Sequence, residues 1–184
     1  PNSETFSHNN ENVETEVYKE GIYVGYRYFD TFEVPVRYGF GYGLSYTDFD
    51  ISDCSLESTN DGKVNVSASV KNVGEVSGKE VVQMYVSLPG GILEKEARRL
   101  TAYAKTSELK PGKIEKVSME ISADQLTSYD EKRAAWILES GFYGIWIGNS
   151  LASAKLCGGI RLDKEIILRQ VKNLFPLKQE LEEM

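Results

Sequence analysis

The sequence contains few of the residues that usually build metal sites and nucleophilic sites. It has two cysteines, Cys54 and Cys157, and one histidine, His8, among 184 residues. The cysteines lack the close spacing of metal ligands, which argues against a zinc site. The two cysteines could pair in a disulfide, but the sequence favours two free thiols in a reducing compartment. Free thiols in turn favour a cytoplasmic location.

Long apolar segments and a clustered basic face are also missing. No apolar run approaches the length that spans a membrane, and a net charge of −7 argues against nucleic acid as a partner. The chain opens with polar residues and shows neither a signal peptide nor an initiator methionine. We therefore expect no membrane or nucleic-acid partner, and we expect the numbering to begin inside a longer protein.

The motifs of common catalytic centres are absent as well. The sequence has no glycine-rich phosphate loop before a helix, no nucleophile elbow and no metal-binding cluster. Its acids fall mostly in polar turns (Asp61, Glu75), at outward strand positions (Glu120) or in the tail, where nothing predicts the raised pKa of a general acid. His8 lies in a polar terminal loop, which favours a solvated side chain over a catalytic base. We predict no catalytic, cofactor-binding or metal-binding residue, and no cofactor.

What the sequence does contain is a stretch rich in aromatic residues and glycine, residues 21–47. Gly39, Gly41 and Gly43 alternate with rings. A packed ring buries about 150–250 Å², and glycine allows a sharp turn or a close approach to another surface. The stretch is therefore predicted to be a packed strap. Its rings are Tyr23, Tyr26, Tyr28, Phe29, Phe32, Tyr38, Phe40, Tyr42 and Tyr46.

One cation lies among these rings. Arg27 could contact a sugar or a carboxylate ligand. The sequence favours instead a guanidinium that stacks on a neighbouring tyrosine and pairs with Asp30 or Glu20. Arg27 is therefore interpreted as a structural residue of the strap.

From Phe49 onwards the pattern changes to the period-two alternation of half-buried strands. Turn signals such as Pro111-Gly112 separate the apolar runs. About seven short and evenly spaced strands are typical of an immunoglobulin-like β-sandwich. The predicted strands are 51–56, 64–71, 82–87, 100–104, 116–121, 134–139 and 142–148.

The last two of these strands are predicted to form a hairpin around residues 140–141. Trp136 and Leu138 are expected to point inward. The strand 142–148 is apolar on both faces, so one face should pack against something beyond the sandwich, either the strap or a missing domain. One face carries Tyr143, Ile145 and Ile147, and the other Phe142 and Trp146.

The tail is predicted to contain a short helix. Asp163 is a suitable N-cap, and apolar residues recur at helical spacing from Ile166 to Leu174. Pro176 would end the helix after Phe175. The apolar stripe would either fold back on this domain or lead into a further one.

Two motifs resemble glycoside hydrolase family 3, the family of β-glucosidases and β-xylosidases. They are YKEGIYVGYRYFD at residues 18–30 and YGFGYGLSYT at residues 38–47. In that family, similar motifs close an α/β sandwich domain and lead into a fibronectin type III-like domain. Gly39 is a departure, because the family usually has a proline there. The similarity continues in residues 72–74, 78–86, 109–112, 139–143 and 148–150.

The resemblance implies an all-β fold. We expect an immunoglobulin- or fibronectin type III-like β-sandwich of about seven strands, with an aromatic N-terminal strap and a short C-terminal helix. Residues 1–47 would be a polar loop and the strap from the end of the α/β sandwich domain. Residues 48–160 would be the fibronectin type III-like domain, and residues 161–184 a helical tail or a linker to a further domain.

The resemblance also implies where the chemistry lies. In this family the nucleophilic Asp comes from a barrel domain and the acid/base, commonly a Glu, from the α/β sandwich domain. Neither motif occurs here. The chain would therefore be a non-catalytic fragment that braces these two missing domains, its partners, in an enzyme that releases terminal β-linked glucose or xylose from oligosaccharides. The oligosaccharide would be met only through the parent enzyme.

Two other classes of function remain open from the sequence. A stand-alone carbohydrate-binding module would need exposed rings in a row to stack on sugars, and Tyr85, Trp136 and Trp146 are the candidates. A fibronectin-type adhesion module would bind a protein partner. The sequence favours a core or interdomain role for these three rings, and the strap motifs count against an adhesion module.

Overall fold

The computed structural model describes residues 20–59 and 62–174. These residues form antiparallel strands, a short helix α1 (Tyr26–Thr31) and a 3-10 helix (Ala123–Leu126). Within these ranges no helix is both long enough and apolar enough to cross a membrane. The strands are β1 (Phe49–Ser58), β2 (Val64–Asn72), β3 (Val81–Ser87), β4 (Arg99–Lys105), β5 (Ile114–Ile121), β6 (Ser128–Asp130), β7 (Ala135–Leu138), β8 (Gly141–Gly148), β9 (Lys155–Leu162) and β10 (Ile166–Gln170).

Two of the sheets form a sandwich, as predicted. One sheet has the order β1-β2-β5 and the other β4-β3-β8-β9. Their inner faces supply a single apolar core, in which β-branched residues dominate because they pack well on a pleated surface. The core includes Val66, Ala68 and Val70 of β2, Val117, Met119 and Ile121 of β5, Val82, Met84 and Val86 of β3, and Tyr143, Ile145 and Ile147 of β8.

The turn between β4 and β5 confirms the signal read at Pro111-Gly112. Gly112 has a φ of 76°, which a glycine adopts without strain. The amide of Lys113 donates to the carbonyl of Lys110 at 3.0 Å and closes the turn. Proline in the second position followed by a left-handed glycine is the arrangement of a type II turn.

The predicted hairpin around residues 140–141 is wrong. β7 pairs with β6 and β10 in a third sheet, whereas β8 pairs with β3 and β9. Gly141 has a φ of 139° and lies against Pro89, so the chain leaves one sheet here and enters another. β9 therefore takes the place in the sandwich that the sequence had assigned to residues 134–139.

Of the two residues predicted to point inward, Leu138 does so and Trp136 does not. Leu138 joins the core cluster. Trp136 is only half-buried and packs against Tyr129 of β6, with a distance of 5.2 Å between ring centroids. Arg169 of β10 covers the same indole at 5.8 Å from its centroid.

The predicted helix in the tail is also wrong in the described part of the tail. Residues 166–170 form β10, which pairs with β7 so that Ile166 faces Leu138 and Gln170 faces Ala135. The pair of strands β6 and β7 offers the hydrogen-bonding edge of β7 to this segment, and Ile166 and Ile167 are β-branched residues that favour a strand. Phe175 and Pro176 lie outside the described residues.

The prediction of free cysteines is wrong as well. Cys54 of β1 and Cys157 of β9 form a disulfide, with 5.8 Å between their Cα atoms. Each strand is an edge of its sheet, and the two edges lie on the same side of the sandwich. The argument for a reducing compartment, and with it for a cytoplasmic location, therefore loses its basis.

Candidate functional site

The strap crosses the outer face of β3, opposite the core. The rings of Tyr26 and Phe40 stack with their centroids 4.3 Å apart. Both meet Tyr85 of β3 edge-on, at 6.4 and 6.5 Å. Tyr85 is fully buried, and this burial raises the pKa of its hydroxyl, which donates to the side chain of Gln83. β3 is therefore covered on both faces, by the core and by the strap.

A forked ion pair holds the strap next to these rings. Arg98, just before β4, places Nη2 at 2.6 Å and Nε at 3.1 Å from the two carboxylate oxygens of Asp30 in α1. Its Nη1 donates to the carbonyl of Leu151 at 2.9 Å. The guanidinium also lies 5.6 Å from the ring centroid of Trp146. Such a two-pronged contact fixes both distance and orientation.

Three further hydrogen bonds join the strap to the sandwich through the main chain. The amide of Leu100 donates to the hydroxyl of Tyr26 at 2.8 Å, and the amide of Ala97 donates to Oγ1 of Thr31 at 2.9 Å. The amide of Leu151 donates to the carbonyl of Phe40 at 3.0 Å. The strap is thus bound at both α1 and Phe40, and is not a free tether.

Glu96 forms a second charged contact beneath the strap. Its side chain is 1% exposed. Its carboxylate accepts hydrogen bonds from Nε of Arg99 at 2.7 Å and from Nη2 of Arg99 at 3.2 Å. Arg27 of α1 approaches the same carboxylate at 3.6 Å. Burial by itself would raise the pKa of Glu96, but the hydrogen bonds and charge of Arg99, with the charge of Arg27, hold it below its ordinary value.

These contacts change the predicted partners of the strap cation. Arg27 pairs with Glu96, and Asp30 pairs with Arg98, not with Arg27. The predicted ion pair with Asp30 or Glu20 is wrong, and among the described contacts Arg27 does not stack on a tyrosine as predicted. The partner was missed because Glu96 lies far along the chain, in a loop whose sequence shows no regular pattern.

The outer side of the strap is exposed. Tyr38 is 62% exposed and Tyr46 98% exposed, although Tyr38 packs on Tyr42 with 5.0 Å between ring centroids. Leu44 is also almost fully exposed. The predicted packing of the strap is therefore confirmed for the inner rings only. Its outer rings remain more than half exposed among the described residues.

A groove runs between the strap and the loop that carries Arg98. It encloses about 760 Å³. Its walls are mainly apolar, with the Asp30–Arg98 pair at the polar end. The apolar lining includes Phe29, Val34, Val36, Tyr38, Phe40 and Leu151.

The loop between β3 and β4 is held by a buried carboxylate. Glu139 accepts hydrogen bonds from the amides of Ile92 at 2.7 Å and Leu93 at 3.4 Å, and it pairs with the ammonium group of Lys95. Burial would raise the pKa of Glu139, but the bonds from Lys95 and these amides lower it below its ordinary value. Ile92, at the loop's tip, is 91% exposed.

The three rings considered for sugar stacking do not form an exposed row. Tyr85 is buried under the strap. Trp146 is half-buried, and its Nε1 donates to Ser87 at 3.0 Å. Trp136 lies in the third sheet, β10-β7-β6, between Tyr129 and Arg169. Nothing in this arrangement supports a carbohydrate-binding face made from these rings.

Four carboxyl groups among the described residues have clearly shifted pKa values. The carboxyl groups of Glu96, Asp130, Glu139 and Glu165 all have lowered pKa values, whereas a general acid needs a raised one. Among residues 20–59 and 62–174 no cluster of three or more metal-binding side chains occurs. His8 lies outside the described residues. The prediction that this chain holds no catalytic residue stays a prediction.

A family comparison identifies the class of domain. Residues 80–151 match the model of the fibronectin type III-like domain. The chain is 41% identical over 167 residues to a β-glucosidase of Ruminococcus albus, a match that covers 88% of this chain and 17% of that protein.

Solved structures agree with this result. β-Glucosidase 3B from Thermotoga neapolitana, solved in complex with α-D-glucose, superposes with a TM-score of 0.81 and 39% identity over 88% of this chain and 22% of its own. A β-glucosidase of glycoside hydrolase family 3 from Bifidobacterium adolescentis superposes with a TM-score of 0.72 and 30% identity, over 77% of this chain and 21% of its own. Over most of its length the chain is homologous to the fibronectin type III-like region of β-glucosidases of glycoside hydrolase family 3. It spans about a fifth of the length of these relatives.

Proposed function

We propose that this chain is a non-catalytic brace within a larger family 3 glycosidase that releases terminal β-linked glucose or xylose from oligosaccharides. Relatives named β-glucosidase support the activity, and this chain corresponds to about a fifth of their length. A retaining glycosidase needs two carboxylates about 5–5.5 Å apart. In this proposal both come from the barrel and α/β sandwich domains outside this chain.

The observation that carries the proposal is the two-sided strap. Its inner rings pack edge-on against Tyr85 and its helix is bound by Arg98, so the strap holds a defined position. Its outer side exposes Tyr38, which lines an apolar groove, and further along the strap Leu44 and Tyr46. Contiguous apolar surface on a rigid support is the usual mark of an interface.

The α/β sandwich domain is the occupant we expect for this groove. Residues 1–47 resemble the segment that closes that domain, and the groove is lined largely by residues 25–40. A domain joined covalently to the strap would dock there at a high effective concentration and so lose less entropy than a separate chain would. The Asp30–Arg98 pair would then set the angle between the two domains.

Two matched tyrosine variants in the parent enzyme test the interface. Tyr38 and Tyr103 have similar exposure, 62% and 71%, but Tyr38 lies in the groove and Tyr103 on β4. In this chain alone, Tyr38→Ala and Tyr103→Ala should each change the free energy of unfolding by less than about 0.5 kcal/mol. In the parent enzyme, Tyr38→Ala should cost about 2 kcal/mol or more because the ring is buried there, and Tyr103→Ala should remain neutral.

The same two variants can also contradict the proposed interface. If both variants leave the thermal unfolding of the parent unchanged, the groove is not the surface that meets the neighbouring domain. This outcome does not depend on substrate, because unfolding is followed by fluorescence or calorimetry.

Two assays on this chain alone test whether catalysis and sugar binding belong to the other domains of the parent enzyme. Incubation with a nitrophenyl β-glucoside should give no turnover, and titration calorimetry with cellobiose or xylobiose should give no heat of binding. Turnover that disappears when one carboxylate of this chain is changed would refute the proposal. Micromolar binding of either disaccharide would favour the carbohydrate-binding module instead.

A further inference from the structure

The disulfide joins the two sheets of the sandwich at one edge. Cys54 lies in β1 and Cys157 in β9, separated by 103 residues in sequence. β1 is the outer strand of the three-stranded sheet and β9 the outer strand of the four-stranded sheet. At the opposite side of the sandwich, β4 and β5 close the edge without a covalent link.

Each cysteine occupies an irregularity of its strand. In β1, Ser52 pairs with Ser69 and Ser55 with Ser67, so Asp53 and Cys54 together face one residue of β2. Asp53 has a φ of 49°, the left-handed conformation found in one type of β-bulge and avoided by most residues.

The strand β9 has the matching irregularity. Gly158 pairs with Ile145 and Leu156 with Trp146, so Cys157 between them has no partner in the ladder. A β-bulge bends the strand and redirects a side chain. Each of the two sheets therefore has a bulge at its cysteine. Together the two bulges direct the sulfur atoms towards each other.

The disulfide is also open to solvent. A cleft of about 300 Å³ is lined by both cysteines and by Asp50, Asp53 and Lys155. Both cysteines are half-buried and not enclosed in the core. A small thiol can therefore approach the sulfur atoms without unfolding of the sandwich.

We infer that Cys54 and Cys157 form a thiol-sensitive latch on the open edge of the sandwich and that the protein is oxidised in its resting state. In forming the latch, the two thiols lose two protons and two electrons to a disulfide oxidant, which becomes two thiols. A dithiol reductant reverses the step, supplies two electrons and two protons, and becomes a disulfide itself. The parent protein would accordingly fold in an oxidising compartment.

Reduction of the disulfide should first loosen the edge of the sandwich formed by β1 and β9. β9 is held on one side only by β8 and meets β1 across the edge of the sandwich, where Leu56 lies against Gly158. Without the covalent link, the chain regains the entropy of a loop of about 100 residues in the unfolded state. We expect reduction to lower the midpoint of thermal unfolding by about 10 °C and to speed amide exchange in β1 and β9 more than in β4.

The test uses the chain as it is, with a double variant as control. Labelling with a maleimide should modify no cysteine in the untreated protein and both after treatment with dithiothreitol. Dithiothreitol should lower the unfolding midpoint of the wild type and leave that of Cys54→Ser/Cys157→Ser unchanged. The double variant should unfold at the midpoint of the reduced wild type.

The contrary results are distinct from a folding failure. Two reactive thiols in protein quenched with maleimide directly from its native cells would overturn the latch. An oxidised wild type whose midpoint does not move on reduction, with both thiols then shown free by mass, would overturn it as well. Neither measurement depends on the parent being a glycosidase, so this inference and the proposed function can fail separately.

Discussion

Gly41 of the strap lies directly over the side chain of Gln83 in β3. A Cβ atom built at Gly41 would lie 2.6 Å from Nε2 of Gln83 and 3.0 Å from Cα of Ser150. Gly41 also has a φ of 80°, which disfavours any other residue. The strap can lie this close to the sheet only because the residue at position 41 has no side chain.

The first prediction concerns this contact. Gly41→Ala should destabilise the chain by about 1–3 kcal/mol, since it combines backbone strain with a clash against packed groups. Gly43→Ala is the matched control, because a Cβ there meets nothing within 4 Å. Urea unfolding measures both. Equal effects of the two substitutions would mean that the strap does not rest on β3 in solution.

The second prediction concerns the loop between β3 and β4. A Cβ atom at Gly91 would lie 2.3 Å from the carboxylate of Glu139, so Gly91→Ala should displace Glu139 from Lys95. Loss of a buried charged contact costs about 3–5 kcal/mol. Gly90→Ala, where a Cβ meets nothing within 4 Å, should stay within about 0.5 kcal/mol of the wild type.

The same pair of variants has a local readout. Hydrogen exchange at the amides of Ile92 and Leu93, which donate to Glu139, should accelerate in Gly91→Ala and not in Gly90→Ala. Unchanged protection of both amides in Gly91→Ala would show that the loop is held by something other than this carboxylate.

The third prediction concerns pH. The pKa values of Glu96 and Glu139 are lowered in the folded protein, so their contribution to stability is full above the unfolded value of about 4.3. It is lost as the pH falls through the lower folded values, because protonation then removes the charge that Arg99 or Lys95 requires. The free energy of unfolding should therefore drop steeply below about pH 4.3.

Glu96→Gln separates one of these two contributions. The variant should lose about 2–3 kcal/mol at pH 7, the worth of hydrogen bonds to a charged group, and should show a shallower decline in acid. Denaturant titrations at several values between pH 7 and pH 3 supply the two curves. Curves that run parallel over this range would exclude Glu96 as a source of the acid sensitivity.

The fourth prediction concerns the turn between β6 and β7. Ala134 has a φ of 49°, a conformation that costs an alanine about 1–2 kcal/mol. Ala134→Gly should therefore raise the free energy of unfolding by about 0.5–1 kcal/mol. Ala152→Gly, at an exposed position that is not among the residues with positive φ, should lower it by a similar amount. A loss in both variants would contradict the strained turn.

The sandwich strands could be predicted because their evidence is local. In β5, Val117, Met119 and Ile121 point into the core, whereas Lys116 and Glu120 are not buried. This alternation with a period of two is visible in the sequence itself. A strand with one buried and one solvent-exposed face can therefore be predicted without knowing which strands pair with it. Alternation by itself places Tyr85 on the outer face of β3, and its ring is nonetheless fully buried because the strap covers it.

The tail shows where a local pattern is ambiguous. Ile166, Ile167, Val171 and Leu174 fit a helical period, and no sequence rule shows that an edge of the β6–β7 pair is open. Pairing with that edge supplies the ladder between β10 and β7. For a short apolar segment, a tertiary partner outweighs intrinsic preference.

The amino-acid sequence by itself determined the all-β class, the family resemblance and the existence of an aromatic strap, since these depend on alternation, motifs and composition. Only the tertiary structure decided which groups meet: Arg98 with Asp30 across 68 residues, Lys95 with Glu139 across 44, and Cys54 with Cys157 across 103. Such pairs leave no periodic trace in a single chain. They form because the folded sheets bring distant groups together, where burial and charge make each pairing favourable.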